Sequence, residues 1–382
     1  METAAVNLRA EYRLLMLLSR IDLDAEDRAA VRELLAKSTD IDWGLFIDAA
    51  GRHRVLPLAA GNLARYDLAF DESDGHRLLP YWWLFAGVPR ANGERNAVLR
   101  AGYAPVLRAL TEAGVPYVVR KGPAIGERLY GDSSLRVTND LDIMVAESDL
   151  PRFADCLTSV GFQQGRLDRT RARIEPFSRS TTIYWKVHLV NELPFVRAAG
   201  FAGVDQYIVD AVTSTLHSAA ARPGDTAEVL ARAVPTVLHG EPSFVLDWPD
   251  WLHNLAVHLY EEAVSPYHIR RGKDLRLQKF VDIAAIVRAS RGQDDWDRFA
   301  ALVSQYRTER EIYYTLHHTD LVFPGVVPPH ILAALRPTDL VYLDEYGGLK
   351  RPAEAWSQPF LVRLFDTSRR HVAEGLQIPP SA

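Results

Sequence analysis

The sequence predicts an α+β fold, mostly helical overall, in which a small mixed-sheet core is flanked by N-terminal and C-terminal helical regions. Apolar residues recur at helical spacing in the first hundred residues and again from about residue 201. Between these parts, short β-branched runs alternate with helical segments. The length of 382 residues suits two to three domains. We therefore expect an N-terminal helical region at 1–100, a core at 101–200, a C-terminal helical domain at 201–345 and a tail at 346–382.

The composition excludes several classes of protein. Hydrophobic residues make up 48% and charged residues 24%, which is ordinary for a folded globular chain. The net charge of −5 argues against a surface that binds nucleic acid or anionic membranes as a whole. The single cysteine, Cys156, excludes an intrachain disulfide and a cysteine-based zinc cluster, and it suits a reducing compartment. No apolar run is long enough for a signal peptide or a membrane span, so we expect a cytoplasmic protein without a membrane partner.

The N-terminal region is predicted to consist of helices. Asp24 precedes a segment with an acidic first turn, and Asp42 precedes a second segment whose apolar residues repeat at helical spacing. A long helix is expected from about Asn92 to Ala113, where a glycine and a proline follow.

The core is predicted to alternate strands with helices. VPYVVRKG and LDIMV indicate two strands, separated by a helix with Pro123 at its first position. A further helix is expected after Ser148. In STTIYWKVHLV apolar and other residues alternate, which predicts a third strand with Lys186 and His188 on one face. From about Phe201 onward the sequence again favours amphipathic helices.

The segment RKGPAIGERLYGDSSLRVTNDLDIMV contains the groups suited to chemistry. Asp140 and Asp142 are two residues apart on a predicted strand, so both carboxylates project from one face and favour a divalent cation. Lys121 and Gly122 end one strand just before a helix, where free backbone N–H groups can meet phosphate oxygens. Arg136 can contact a phosphate through two N–H groups. These signals are weak separately and much more specific in this order.

These residues resemble a known family, the uncharacterised nucleotidyltransferases of the polymerase-beta-type superfamily. The matching motifs are VVRKG, a helix ending in Leu129-Tyr130, Arg136 and DLDIMV. The helical segments DWGLFIDAAGRHRVLPLAAGNL, WLHNLAVHLYEEA and LRLQKFVDIAAIV are also similar to the family, so the resemblance covers roughly residues 40–335. It implies that the core at 101–200 is nucleotidyltransferase-like.

The resemblance implies an Mg²⁺-dependent enzyme that transfers an NMP group from an NTP to an acceptor and releases pyrophosphate. Two ions would bind if a third ligand were supplied. The candidate residues are Asp140, Asp142 and His188 as catalytic groups, Asp140 and Asp142 as metal ligands, and Lys121, Gly122, Arg136 and Lys186 as nucleotide or phosphate contacts.

The sequence departs from the family pattern at two places. Relatives carry an acid two residues before a histidine on a later strand, where this chain has Lys186 before His188. Three interpretations of Lys186 and His188 stay open. His188 is a metal ligand or general base, Lys186 pairs with one of the aspartates in place of a metal, or both lie on a solvated strand face. Glu175 and Glu192 are nearby acids that could substitute. The usual Gly-Ser is replaced by Gly122 and a proline.

Other functions compete with an active enzyme. A degenerate nucleotidyltransferase fold could act as a nucleotide-binding or scaffold protein, and Lys186 motivates that alternative. Two arginine-rich stretches, GRLDRTRARIEPFSRS and HIRRGKDLRLQK, motivate a toxin-like enzyme acting on tRNA or other RNA, although a solvated face is the simpler interpretation. The acceptor is left open among a small molecule, a peptide or protein, and tRNA.

Overall fold

The computed structural model describes residues 8–37, 41–170, 173–188, 192–201, 203–215, 225–347 and 352–373. The helices are α1 (Ala10–Leu18), α2 (Ala25–Lys37), α3 (Trp43–Arg52), α4 (Leu56–Arg65), α5 (Trp82–Glu112), α6 (Pro123–Leu129), α7 (Leu150–Ser159), α8 (Arg179–His188), α9 (Asp225–Ala231), α10 (Trp248–Val264), α11 (Pro266–Arg270), α12 (Leu277–Arg288), α13 (Gln293–Tyr306), α14 (Glu309–Val322), α15 (Pro329–Leu335) and α16 (Phe360–Phe365). Short 3₁₀ segments occur at Ser133–Leu135, Glu147–Asp149, Val341–Asp344 and Thr367–Ala373.

The strands are short and are confined to a few parts of the chain. They are β1 (Tyr117–Val119), β2 (Leu141–Val145), β3 (Gln163–Gln164), β4 (Arg166–Asp168), β5 (Arg173–Glu175), β6 (Phe195–Phe201), β7 (Val204–Val212), β8 (Val234–Leu238), β9 (Glu241–Val245), β10 (Glu345–Tyr346) and β11 (Glu354–Ala355). The fold is therefore α+β and mostly helical, as the sequence predicts. None of the helices that the structure describes is long and apolar enough to span a membrane.

The chain divides into two compact units. The helical unit takes the described residues of Met1–Asn92, Ser134–Val137 and Leu255–Gln377. The sheet unit takes those of Gly93–Ser133, Thr138–Asn254 and Ile378–Ala382. The four domain boundaries expected from the sequence stay predictions.

The sheet unit is built on one mixed sheet, which has seven strands among the described residues, in the order β3-β6-β7-β2-β1-β9-β8. Strand β2 lies near its centre, antiparallel to β1 and parallel to β7. All five residues of β2 are buried. A strand buried on both faces accepts few polar side chains, so an aspartate within it needs a specific reason.

The helical unit begins with helices whose ends the sequence indicates well. The Asp42 carboxylate accepts a hydrogen bond of 2.9 Å from the N–H of Leu45, which caps α3. The long helix predicted after Asp42 is divided in two, because Arg54 adopts a left-handed conformation (φ 59°) between α3 and α4. Such a residue cannot continue a right-handed helix.

Two secondary-structure predictions are wrong. The segment expected to be a strand around Lys186 forms helix α8. Its start is capped by the Ser178 hydroxyl, which accepts a hydrogen bond of 3.1 Å from the N–H of Thr181. The region after Phe201 was expected to be helical, but β7, β8 and β9 lie there. Gly200 and Gly203 have positive φ angles (70° and 79°) that let the chain turn between β6 and β7.

Candidate active site

Lys121 and Gly122 lie in the turn between β1 and α6. The N–H of Arg120 donates to the carbonyl of Asp142 at 3.0 Å, which extends the pairing of β1 with β2 to the edge of this turn. Gly122 has φ 65°, and a Cβ atom there would stand 2.8 Å from the carbonyl oxygen of Asp140. Only glycine combines this backbone conformation with so close an approach. The turn and the start of β2 are therefore in direct contact.

Asp140 and Asp142 lie at the start of β2. Asp140 precedes the strand and is half-buried, whereas Asp142 is its second residue and is only 5% exposed. Side chains two residues apart in an extended chain project to the same face. The two carboxylates therefore share one face of the sheet, as the sequence predicts.

A third carboxylate comes from the neighbouring parallel strand. In the register of β2 and β7, Asp142 stands opposite Asp210. Adjacent strands lie roughly 4.8 Å apart, and register partners project to the same face. Asp210 is half-buried. Three acidic residues from two strands are thus brought to one face, and sequence reasoning missed the third.

The pKa of one buried tyrosine is affected by all three acids. Tyr103, on α5, is fully buried, and burial is the main cause that raises its pKa far above the usual value. The negative charges of Asp140, Asp210 and Asp142 raise this pKa further, while a hydrogen bond from the N–H of Ile208 opposes the shift.

Tyr103 also connects the two acid-bearing strands. Its hydroxyl donates to the carbonyl of Asn139 at 3.1 Å and accepts from the N–H of Ile208 at 3.1 Å. Asn139 immediately precedes Asp140, and Ile208 lies two residues before Asp210. A single hydroxyl therefore holds the backbone at both acids, and Tyr103 is a positioning residue for them.

A second α5 side chain reinforces this arrangement. Arg95 donates to the Asn139 side-chain oxygen at 2.7 Å and to the carbonyl of Gly203, at the β6–β7 turn, at 3.2 Å. It also donates to the carbonyl of Thr138. The residues just before β2 and the turn just before β7 are thus hydrogen-bonded to the same helix, α5.

Lys121 neutralises part of the acidic charge. Its Nζ atom lies 3.1 Å from Oδ1 of Asp142. Burial raises the pKa of the Asp142 carboxyl, Lys121 opposes this shift, and the charge of Asp140 adds to it. Oδ2 of Asp142 is buried and has no hydrogen-bond partner among the residues that the structure describes. A buried carboxylate oxygen without a partner suits a hard divalent cation such as Mg²⁺. The three carboxylates do not, however, each place an oxygen within 4.8 Å of the other two; among the described residues only Asp71, Asp74 and His76 form such a group.

Arg136 has a structural environment within the helical unit. It is 7% exposed, and its Nε and Nη2 atoms donate to the two carboxylate oxygens of Asp282 at 2.9 and 2.7 Å. A guanidinium that is this buried, and that pairs with a carboxylate through two of its five N–H groups, is poorly placed to contact a phosphate. We therefore leave Arg136 out of the proposed phosphate site.

The predicted roles of Lys186 and His188 stay predictions. Their backbone belongs to α8, so the reason for placing both side chains on one strand face is lost. The side chains themselves lie outside the described residues.

Glu175 and Glu192, the two acids that could substitute for the missing carboxylate, lie in different environments. Glu175, on β5, is close to Arg173, with an oxygen–nitrogen distance of 3.1 Å. The N–H of Glu192 donates to the carbonyl of Ala211 at 2.8 Å, and Glu192 lines a cleft of about 490 Å³ beside α7. Phe195 lines the same cleft. It pairs with Val209 of β7, and the side chains of Val209 and Asp210 project to opposite faces of the sheet.

A signal for Asp210 does exist in the sequence. VDQYIVDAV is rich in β-branched residues and follows a turn that contains glycine, which indicates the second strand of a hairpin. An aspartate inside such a run departs from the apolar pattern. Its pairing with Asp142 cannot be predicted, because the register between distant strands depends on the tertiary fold.

Comparisons with known proteins give one family match and one structural neighbour of low similarity. A family model described as uncharacterised nucleotidyltransferase matches residues 39–324. The crystal structure of an antigenic nucleotidyltransferase-like protein from Paracoccidioides brasiliensis is similar with 14% sequence identity, over 62% of this chain and 92% of that chain, at a TM-score of 0.34. No curated protein matches the sequence significantly.

Proposed function

Because the chain belongs to the family of uncharacterised nucleotidyltransferases, we propose that it transfers a nucleoside monophosphate from an NTP to an acceptor. A bond forms between an acceptor oxygen and the α-phosphorus, the bond to the β-phosphate oxygen breaks, and pyrophosphate leaves. The acceptor loses its proton. The observation that carries this proposal is the register of Asp142 with Asp210, on the same face as Asp140.

Each residue of the candidate site has a role in the proposal. Asp140, Asp142 and Asp210 would hold Mg²⁺, which supplies Lewis acidity and offsets phosphate charge when bound. Gly122 lets the backbone approach a phosphate closely, since it has no Cβ atom. Lys121 places a positive charge at the same turn, beside Asp142. Asp142 is nearly inaccessible to water, so its interaction with a cation is weakly screened.

Pyrophosphate release tests the proposal. The purified chain is supplied with each of the four NTPs and with sets of acceptors from the three open classes, namely small molecules, peptides or proteins, and tRNA. We expect release that requires Mg²⁺ and that Asp142→Asn abolishes. Absence of NTP binding, together with no effect of Asp142→Asn on any measured turnover, would overturn the proposal.

The Lys121–Asp142 ion pair favours a second candidate, a nucleotide-binding protein without catalysis. In that case the ammonium group takes the place of a metal, and NTP binding is independent of Mg²⁺. Calorimetric titration of an NTP with and without Mg²⁺ separates the two functions. Tight binding in the presence of a chelator, with no turnover in any acceptor set, supports the non-catalytic function.

The hypothesis of an RNA acceptor depends on the first arginine-rich stretch, GRLDRTRARIEPFSRS. Arg169 lies 2.8 Å from Asp205, and Arg173 contacts Glu175, so these two arginines already have carboxylate partners. Arg171 lies outside the described residues. Activity on tRNA that falls steeply with salt, and that a triple replacement of these arginines removes, would select this class. NTP-dependent chemistry and the single cysteine both suit action in the cytoplasm.

A further inference from the structure

The helical unit contains a cluster of positive side chains that the proposed transfer reaction does not use. The cationic cluster, defined as Arg54, Lys273, Arg276 and Arg370, comes from three parts of the chain. Arg54 lies between α3 and α4, Lys273 and Arg276 lie between α11 and α12, and Arg370 lies in the 3₁₀ segment Thr367–Ala373. The second arginine-rich stretch of the sequence supplies two of the four.

The conformation of one turn brings Arg370 to the α11–α12 connection. Gly272 has φ 59°, and a Cβ atom at this position would overlap the guanidinium group of Arg370. The guanidinium therefore lies directly on the turn that precedes Lys273. A side chain at position 272 would displace this guanidinium, and the positive φ angle independently favours glycine there.

Two cations of the cluster, Arg276 and Lys273, have lowered pKa values, and like charges nearby contribute to both shifts. Burial lowers the pKa of Arg276 to about 10, and the charges of Arg54 and Arg370 contribute to this shift. Burial also lowers the pKa of Lys273, with contributions from Arg271, Arg276 and Arg54. Repulsion between like charges at a partly desolvated site is costly unless an anion compensates it.

The nearby carboxylates are bound to other cations. Asp274 accepts hydrogen bonds of 2.7 and 3.2 Å from Arg369. Glu262 lies 2.5 Å from the Nζ atom of Lys279, and His258 and His268 lie 3.4 and 3.6 Å from its oxygens. Both acids thus have cationic partners outside the cluster. They also raise the pKa of Arg276, so they offset the positive charge of the cluster only in part.

Three buried N–H groups near the cluster have no acceptor among the described residues. These are Nε of Arg276, Nε of Arg370 and Nε2 of His53. Nδ1 of His53 accepts from the N–H of Leu277 at 3.1 Å, so the proton of the neutral ring is on Nε2. Burial lowers the pKa of His53 well below its usual value, with contributions from Arg369, Arg52 and Arg276. Excess positive charge and donors without acceptors both call for an anion.

We propose that the cationic cluster binds one phosphate group. Guanidinium groups match phosphate oxygens with paired N–H donors, and a doubly charged phosphate offsets more of the repulsion than a single carboxylate does. Part of the Lys273 side chain is buried among these cations, but the residue keeps a solvent-exposed surface, so the cluster is open to solvent on one side. The proposal does not depend on the proposed transfer reaction, because all four residues lie in the helical unit and none belongs to the candidate active site.

Inorganic phosphate is the probe for the experiment. Calorimetry and thermal unfolding are measured with increasing phosphate at constant ionic strength, set with chloride. We expect saturable binding at one site and a melting temperature that rises with phosphate concentration. Arg276→Gln and Arg370→Gln should each weaken binding about tenfold, which corresponds to the loss of one charge-assisted hydrogen bond. Lys273→Gln should weaken it about threefold.

Two control variants and one fallback variant keep the outcome clear. Arg336→Gln makes the same charge change at an exposed arginine of the helical unit and should leave phosphate affinity unchanged. Asp142→Asn should also leave it unchanged, so the failure of the transfer reaction and the failure of this site are distinguishable. If a cluster variant is poorly folded, Lys273→Gln at an exposed position still reports on the site.

Two results would overturn the proposal. One is an equal response to phosphate in the wild type and in the double variant Arg276→Gln/Arg370→Gln, which would locate binding elsewhere. The other is an absence of phosphate binding together with salt-sensitive binding of a single-stranded RNA oligonucleotide, which would make the cluster part of a nucleic-acid surface. A phosphomonoester that binds tighter than inorganic phosphate would identify a phosphorylated small molecule as the source of the group.

Discussion

Asp142 and Asp210 stand opposite each other in the parallel pair of β2 and β7, although 67 residues separate them in the chain. With Asp140, they place three carboxylates on one face of the sheet. The family pattern places a third carboxylate where this chain has Lys186. In the structure, Asp210 stands beside Asp142 on β7, a strand that the sequence analysis did not predict.

Replacing Asp210 should remove metal-dependent activity. In Asp210→Asn the fold is kept, but one negative charge is lost from the face that would hold Mg²⁺. We expect the turnover rate to fall by about 100-fold or more, since charge stabilisation by a bound metal contributes several kcal/mol. Mn²⁺ binding, followed by electron paramagnetic resonance, should weaken in parallel.

Asp205→Asn is the matched control for this prediction. Asp205 lies on the same strand, is exposed and pairs with Arg169. Its register position is of opposite parity to that of Asp210, so its side chain projects to the other face. Equal metal affinity in the two variants would contradict the role of Asp210.

Removing Lys121 should destabilise the metal-free protein in a pH-dependent way. In Lys121→Met the buried carboxylate of Asp142 loses its cation at 3.1 Å, at a cost of about 1–3 kcal/mol in the free energy of unfolding near pH 7. Because burial raises the pKa of Asp142 and Lys121 opposes that shift, the variant should raise the pKa further.

The sign of the pH dependence follows from linkage. Since the pKa of Asp142 is raised in the folded state, the protonated carboxyl needs no cation, and the destabilisation should vanish as the pH falls through this pKa. Urea unfolding between pH 4 and pH 8 (roughly spanning the range of carboxyl titration) measures this destabilisation at each pH. In an Asp142→Asn background, Lys121→Met should cost much less. A loss that is constant with pH would show that the ion pair is not its cause.

Tyr103→Phe should impair catalysis because it shifts the acidic residues that Tyr103 positions, and not because a contact with substrate is lost. The change leaves the N–H of Ile208 and the carbonyl of Asn139 without their shared hydroxyl, which should cost about 1–3 kcal/mol of stability. We expect the turnover rate to fall with little change in KM for the NTP, since misplaced carboxylates act mainly on the transition state.

Tyr117→Phe is the comparison for Tyr103→Phe. Tyr117 is a buried tyrosine of β1 that pairs with Val145, at the end of β2 far from the acids. Its hydroxyl interacts with the hydroxyl of Thr111 at 3.0 Å. It should lose stability with little change in turnover. If both variants lower turnover equally, the loss reflects general destabilisation instead of positioning.

Arg136→Gln should reduce stability without a specific effect on phosphate recognition. The variant leaves the buried carboxylate of Asp282 without its guanidinium, which costs about 3–5 kcal/mol when such a pair is broken. Arg52→Gln, which removes an i,i+4 pair with Asp48 at the surface, should cost under about 1 kcal/mol. At a temperature where Arg136→Gln is folded, the KM for the NTP should equal that of the wild type. A large rise in KM would restore Arg136 to the phosphate site.

The elements that the sequence predicts correctly are those with strong local causes. Strand β2 is apolar except for Asp142, and α6 starts at Pro123, whose ring suits the first turn of a helix. The segment that forms α8 was predicted wrongly because alternation of apolar residues does not exclude a helix with a serine cap. The strands after Phe201 form local hairpins, β6 with β7 and β8 with β9, so their β-branched runs were a usable signal that the helical prediction overlooked. Only the pairings of β7 with β2 and of β9 with β1 join segments that are distant in the sequence.

The sequence by itself determined the α+β class, the family, and one corner of the candidate site, namely Lys121, Gly122, Asp140 and Asp142. These depend on local order along the chain: a glycine turn, and two acids at the strand period of two. Tertiary structure decided the rest. It paired Asp210 with Asp142, bound Arg136 to Asp282, and gathered the cationic cluster from three separate parts of the chain. Strand register, buried ion pairs and charge repulsion are interactions between distant residues, so they depend on which surfaces the folded chain brings together.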